Sequence, residues 1–213
     1  MRAGRPEAGA AGRPMVVLGD SVAEGWHDPA PDPPGGWIGW AGRLARHLDI
    51  PRDRVRNLAE PGATIEDVVR VQLPRARGLD PRLVMLGCGM NDALNGFERA
   101  GVAARLEEVF GWARESGAVA IAIPVPRPPF LERSPMSQFR RKRVVQRIAD
   151  FNAELDRVSR ASGTTFPNRE SVSKVGDPSM WSPDGIHLNA AGHSYVAEVV
   201  AHIARDLLGG RTV

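Results

Sequence analysis

A serine closing an apolar run, an aspartate three residues before a histidine, a glycine between a strand and a helix, and an asparagine after a second apolar run are the chemically capable features of this chain. Val16-Val17-Leu18-Gly19-Asp20-Ser21 reads as a buried strand punctuated by Gly and Asp. That puts the Ser21 hydroxyl at the carboxyl edge of a first strand, where open α/β sheets bind ligands. A serine hydroxyl is a weak nucleophile alone and needs a base, an orienting acid and donors for a developing oxyanion. Asp184 and His187 share the loop Trp181-Ser182-Pro183-Asp184-Gly185-Ile186-His187-Leu188-Asn189. Their spacing lets the carboxylate meet one imidazole nitrogen and fix the tautomer, leaving the other nitrogen free as a base. An isolated Asp-x-x-His also recurs by chance, and the pair has no third ligand at a recognisable spacing, so no metal is expected. Gly62 either turns an amide toward an anion or only relaxes a tight turn. Asn91 either donates its side-chain amide beside Ser21 or bonds its own turn backbone.

The elements that would position these residues alternate strand and helix. Apolar spacing predicts a helix over Trp40–Leu48, with His47 on its solvent side, and a short strand over Val55–Ala59. Thr64, Glu66 and Asp67 mark a helix start. Leu83–Leu86 repeats the opening strand, and Cys88 after it is a small buried filler. A helix over Phe97–Gly117, a strand over Val119–Ile123, an irregular Pro124–Pro135 loop, a long helix ending near Gly163, a weak strand at Thr164–Phe166 and a helix from Ala190 complete the chain. The alternation predicts a parallel sheet flanked by helices with right-handed crossovers. The Pro/Gly-rich segment after Ser21 holds Trp26, Trp37 and Trp40, which either plug the loop onto the body or wall an acyl or sugar pocket. His27, in that loop, and His193 and His202, near the last helix, are expected as surface or packing residues.

The chain has 213 residues, enough for one domain, and a hydrophobic fraction of 42% with 25% charged residues. A net charge of +3 is too small and scattered to indicate nucleic acid. The run Arg140-Arg141-Lys142-Arg143 reads as a solvated helix face, with an anionic substrate portion or partner surface as the alternative. A single cysteine excludes an internal disulfide. The first residues carry Gly, Pro and charge without an apolar core, and no segment approaches the ~20 apolar residues of a membrane span. A cytoplasmic protein is expected, with a frayed tail over 1–14 and a single domain over 15–209. Nothing in the sequence specifies an oligomeric state.

Four segments in order resemble the SGNH family of GDSL-type esterases and lipases: Gly19-Asp20-Ser21, Gly62, Gly89-Met90-Asn91-Asp92 and Asp184-Gly185-Ile186-His187. The first block reads GDSV rather than GDSL, a change at Val22 that alters packing more than chemistry, and the Gly-x-Ser-x-Gly elbow of ordinary α/β-hydrolases is absent. The resemblance implies a three-layer α/β/α flavodoxin-like sandwich around a parallel sheet of about five strands. It implies Ser21 as nucleophile, His187 as general base and then acid, and Asp184 as its partner. The oxyanion hole it implies comprises the amides of Ser21 and Gly62 and the Asn91 side chain. Asp20, Trp26, Trp37 and Trp181 are candidate substrate contacts. The implied reaction is hydrolysis of a small-molecule carboxylic ester, small or acetyl in its acyl part, through an acyl-enzyme, with no metal or organic cofactor. A thioesterase, an acyltransferase or a carbohydrate O-deacetylase would use the same groups, and an idle binding module is the non-enzymatic alternative.

Overall fold

The computed structural model describes residues 12–30, 36–167 and 173–209; residues 1–11 of the expected tail lie outside the described residues. Four parallel strands, β1 (Met15–Gly19), β2 (Val55–Asn57), β3 (Leu83–Gly87) and β4 (Val119–Ala122), stand in the order β2-β1-β3-β4. This order reverses direction between β1 and β3, which opens a crevice at their carboxyl ends. Gly19 and Gly87 are paired where the crevice begins.

Nine helices flank the sheet among the described residues. They are α1 (Ser21–Glu24), α2 (Gly39–His47), α3 (Ile65–Asp67), α4 (Leu73–Ala76), α5 (Met90–Asn95), α6 (Arg99–Glu115), α7 (Phe130–Arg133), α8 (Gln138–Ser162) and α9 (Ala190–Gly209). A π-helical turn over Val68–Gln72 joins α3 to α4. Successive strand residues point to opposite faces. Met15, Val17, Met85 and Ile121 pack with Trp40 and Leu44 of α2 and Val196 and Val200 of α9. Val16, Leu18, Val84 and Leu86 pack on the other face with Leu73, Leu106, Phe110 and Phe151. Fully burying one such side chain is worth about 1.5–3 kcal/mol, so two continuous cores hold the three layers together. Both faces of the sheet are covered, which is why its central strands read as unbroken apolar runs rather than as alternation.

The parallel sheet and flanking helices match the sequence-based expectation, with differences at the margins. β2 stops at Asn57 and lies partly exposed at the sheet edge. The expected strand at Thr164–Phe166 contracts to a bridge at Thr165, whose amide donates to Ala120 and whose carbonyl accepts from Ala122, both at 2.9 Å. Gly163 ends α8 in the left-handed region just before it, and Pro167 removes the next backbone donor just after it. Among the described residues the sheet therefore has four strands and a one-residue fifth position. Residues 124–135 are not wholly irregular, because Pro129 precedes the helical turn α7 with a φ of −64°, a geometry that starts helices well. No helix among the described residues is long and apolar enough to cross a membrane.

Candidate active site

Ser21 stands just beyond the Gly19–Gly87 pair that ends the β1–β3 ladder. Gly19 has a φ of +148°, and a Cβ there would lie 2.0 Å from the carbonyl oxygen of Gly87. Only glycine permits that approach. Beyond it, the Asp20 amide donates to Gly87 (3.1 Å) and the Glu60 amide to the Gly19 carbonyl (3.1 Å). The buried Gln72 amide bonds the N–H and the C=O of Gly19, each at 2.8 Å. Asp20 then caps α1 by accepting from the Val22 amide at 3.0 Å. Burial pushes the Asp20 carboxyl up to about 7, against the opposing hydrogen bonds from Val22 and Ala23. As the first residue of α1, Ser21 keeps its amide outside the helical ladder, and that amide has no acceptor among the described residues.

A second pair of donors faces the same space. Gly62, with a φ of +78°, has an amide without an acceptor among the described residues. Asn91, in the first turn of α5, donates one N–H to the Ala63 carbonyl at 3.0 Å and retains a second. The buried carboxylate of Asp92 accepts from the Ile65 amide, with both oxygens at 3.2 Å. These contacts tie α5 to the 62–65 turn and fix Gly62 and Asn91 relative to each other. Burial pushes the Asp92 carboxyl up to about 6, even though the Ile65 amide favours its charged form.

The loop from Trp181 to Asn189 brings the imidazole. His187 Nε2 lies 2.8 Å from Ser21 Oγ, and His187 Nδ1 lies 2.7 Å from Asp184 Oδ2. Asp184 Oδ1 accepts from Ser182 Oγ (2.6 Å) and from the amides of Ile186 (2.9 Å) and His187 (3.0 Å). Partial burial opposes ionisation, but these bonds outweigh it and hold the Asp184 carboxyl well below the usual carboxylate range. The loop is closed by the Trp181–Leu188 bridge and by the Ser182 backbone amide donating to the His187 carbonyl at 2.9 Å. Trp181 is pinned through its indole to Val175 at 2.8 Å.

A cavity of about 250 Å³ joins these parts, lined by Ser21, Gly62, Asn91 and His187 together with Val22, Trp40, Ile123 and Val125. Of the expected substrate contacts, Asp20, Trp26 and Trp181 are in its wall, whereas Trp37 is not. Trp37 is 41% exposed and packs on the rings of Trp26 and His27, so it covers the loop from outside. A second cavity of about 160 Å³ shares Val22, Trp40, Ile123, Val125 and Leu188 with the first and reaches Asn152 and Val196. Arg140, Lys142 and Arg143 are exposed at the start of α8, as a solvated helix face would be, whereas Arg141 is half-buried and donates to the Ser134 carbonyl at 3.3 Å.

Several residues near the site hold it together in ways that the sequence did not reveal. Ser182 holds Asp184. His193 is a packing residue that also makes two specific hydrogen bonds. Its Nδ1 accepts from the Trp40 amide (3.1 Å) and its Nε2 donates to the Trp26 carbonyl (3.0 Å). Burial lowers it to about 4, so it stays neutral and docks the tryptophan loop on α2. His27, expected merely at the surface or in packing, places Nε2 3.1 Å from Asp184 Oδ2 and its ring 5.3 Å from that of His187. Only the fold unites residues so far apart in the chain, and no spacing signals it.

A model of the GDSL-like lipase/acylhydrolase family matches residues 17–195, so the chain belongs to that family. Among solved structures, TesA is similar with a TM-score of 0.68 and 24% identity, over 92% of this chain and 99% of that one. The lipase/acylhydrolase from Enterococcus faecalis is similar with a TM-score of 0.64 and 23% identity, over 93% and 96%. The psychrotrophic esterase EstA from Pseudoalteromonas sp., solved with monoethylphosphonate as inhibitor, has a TM-score of 0.68 and 16% identity, over 92% and 99%. No curated protein matches the chain in sequence.

Proposed function

We propose that this member of the GDSL-like lipase/acylhydrolase family hydrolyses carboxylic esters through an acyl-enzyme on Ser21. The observation that carries the proposal is the unbroken line from Ser21 Oγ to His187 Nε2 (2.8 Å) and from His187 Nδ1 to Asp184 (2.7 Å). His187 takes the Ser21 proton as Oγ attacks the ester carbonyl. The tetrahedral oxyanion is met by the Ser21 and Gly62 amides and the spare N–H of Asn91, where one well-placed donor is typically worth ~3 kcal/mol. Collapse expels the alcohol, which takes the proton from His187. Water then repeats the sequence: its proton goes to His187, its oxygen attacks the acyl carbon, and the acid departs as Ser21 regains its hydrogen. Asp184, held ionised by its hydrogen bonds, keeps Nδ1 protonated and Nε2 free to exchange a proton with Ser21.

The cavity supports an acyl group larger than acetyl. Its walls beside Ser21 are Val22, Trp40, Ile123 and Val125, and the adjoining space toward Val196 prolongs the same apolar surface. An apolar chain of medium length gains from displacing water along it, whereas an acetyl group leaves most of it unfilled. In a series of p-nitrophenyl esters, kcat/KM is expected to rise from acetate to a medium-chain optimum. Ser21→Ala is expected to lower kcat by about 10⁴-fold or more with the melting temperature unchanged. Equal turnover by both proteins would remove the esterase reading, and a flat or falling chain-length profile would remove the acyl-channel reading.

A further inference from the structure

We propose that His27, Asp184 and His187 form a site for a divalent transition-metal cation of the zinc class, and that its occupation switches the catalytic base off. The ligand-capable atoms of the three side chains all lie within 4.8 Å of one another. Asp184 Oδ2 sits between the two imidazoles, 3.1 Å from His27 Nε2 and 2.7 Å from His187 Nδ1. A tetrahedral zinc ion with bonds of about 2.0–2.2 Å needs neighbouring ligands about 3.3 Å apart, so Asp184 and His187 part by about 0.6 Å and the two imidazole nitrogens, now within 4.8 Å, settle to the same spacing. Two nitrogens and one carboxylate oxygen suit zinc-class ions rather than magnesium or calcium, which favour all-oxygen shells. His27 and Asp184 are partly exposed, with side chains 42% and 35% accessible, so the ion has an entry path and a water has the fourth position.

His27 is held for this arrangement rather than left to wander there. Its φ of +64° is a left-handed conformation that an L-residue rarely adopts, and the segments on both sides impose it. The preceding carbonyl, that of Trp26, accepts from His193. The following residue, Asp28, is buried and makes a two-pronged pair with Arg43 at 2.6 and 2.8 Å. The Ile38 amide closes onto the Asp28 carbonyl at 2.9 Å.

The consequence for catalysis follows from proton positions and rests on the esterase reading. A base at Nε2 requires its proton on Nδ1. A metal needs the Nδ1 lone pair, so that proton moves to Nε2; the ring then only donates toward Ser21 and takes no proton from it. His27 changes in the opposite sense, with Nε2 on the metal and its proton on Nδ1. In each ring one N–H bond breaks and one forms on the other nitrogen, so each imidazole stays neutral and the chain neither gains nor loses a proton.

Titration of ZnCl₂ into the full chain tests this by calorimetry and by long-range ¹H–¹⁵N spectra of its five histidines. One ion per chain is expected, with the His27 and His187 rings shifting, His187 changing tautomer, and His47, His193 and His202 unmoved. In His27→Gln the affinity should fall about tenfold or more. Ester hydrolysis should fall with site occupancy and return on chelation with EDTA, while MgCl₂ does neither. Absence of binding, or binding that leaves the His27 and His187 rings unshifted, overturns the site even if the variant fails to fold, because the wild-type spectra decide it. Calorimetry and spectra need no turnover, so a chain that hydrolysed no ester would defeat the function proposed above and leave this site to its own result.

Discussion

The two halves of the site are built by different means. The half with Ser21, Gly62 and Asn91 rests on strand ends and the core: Gly19 pressed against Gly87, Gln72 enclosed around Gly19, and two acids, Asp20 and Asp92, buried in the backbone network. The half with Asp184 and His187 rests on a surface loop whose order comes from hydrogen bonds converging on one carboxylate. The acids shift in opposite directions for that reason. Burial raises Asp20 and Asp92, while hydrogen bonds outweigh partial burial and depress Asp184. Under the proposed function, the donors that must not move are anchored in the core, while the base, whose proton must move, is oriented by an ionised partner near solvent.

This contrast predicts that the loop half breaks function without breaking the fold. Asp184→Asn retains an acceptor for Ser182 and for the Ile186 and His187 amides, but its NH₂ faces His187 Nδ1 and forces the imidazole proton onto Nε2. The expected loss is about 10⁴-fold in kcat with KM and melting temperature little changed. Steady-state kinetics beside thermal unfolding checks it, and a large drop in melting temperature would show that the loop carries stability after all. The core half should behave the other way. Gly19→Ala drives a methyl group to within 2.0 Å of the Gly87 carbonyl oxygen, in a strand pair with no room to yield. A destabilisation of about 3 kcal/mol or more is expected from strain and overpacking, read as a lower urea midpoint at unchanged slope. A stable Gly19→Ala protein that lacked only activity would erase the distinction between the halves.

What the sequence showed and hid divides along the same line. β1, β3 and β4 were legible because strands buried on both faces carry continuous Val, Leu, Met and Ile runs. Asp184 and His187 were legible as a pair because their contact is local, three residues apart. The one-residue fifth strand position was overstated, since Thr164–Phe166 has strand-forming residues but a left-handed glycine before it and a proline after it. α7 was hidden by its prolines, which mark a loop by composition and a helix start by geometry. The specific contacts of His27 and His193, expected only as surface or packing residues, were hidden for a deeper reason. Each acts on a partner far along the chain, Asp184 for one and the Trp26 and Trp40 backbone for the other, and such pairings are set by topology.

The smallest expected effect tests the buried acids. Asp20 has its carboxyl raised from 3.8 to about 7, so the folded state binds a proton that the unfolded chain has released. The stability this proton confers is fully present below about pH 4 and is lost as the pH rises to about 7. Asp92, raised to about 6, adds a shorter decline in the same sense. His193 opposes both: its folded value of about 4 lies below the ordinary 6.5, so the unfolded chain binds the extra proton and stability climbs between those values. Asp20→Asn keeps an oxygen for the Val22 amide and removes the largest decline. Melting temperatures across pH 4–8 should therefore fall in the wild type and stay nearly level in the variant, where the Asp92 decline and the His193 climb almost cancel. At ~1.4 kcal/mol per pKa unit, the gap between pH 4 and pH 8 amounts to a few kcal/mol at most, or several degrees for a chain of this size. Parallel profiles for the two proteins would mean that Asp20 is solvated rather than enclosed, and the core half of the site would then be held less firmly than its buried contacts require.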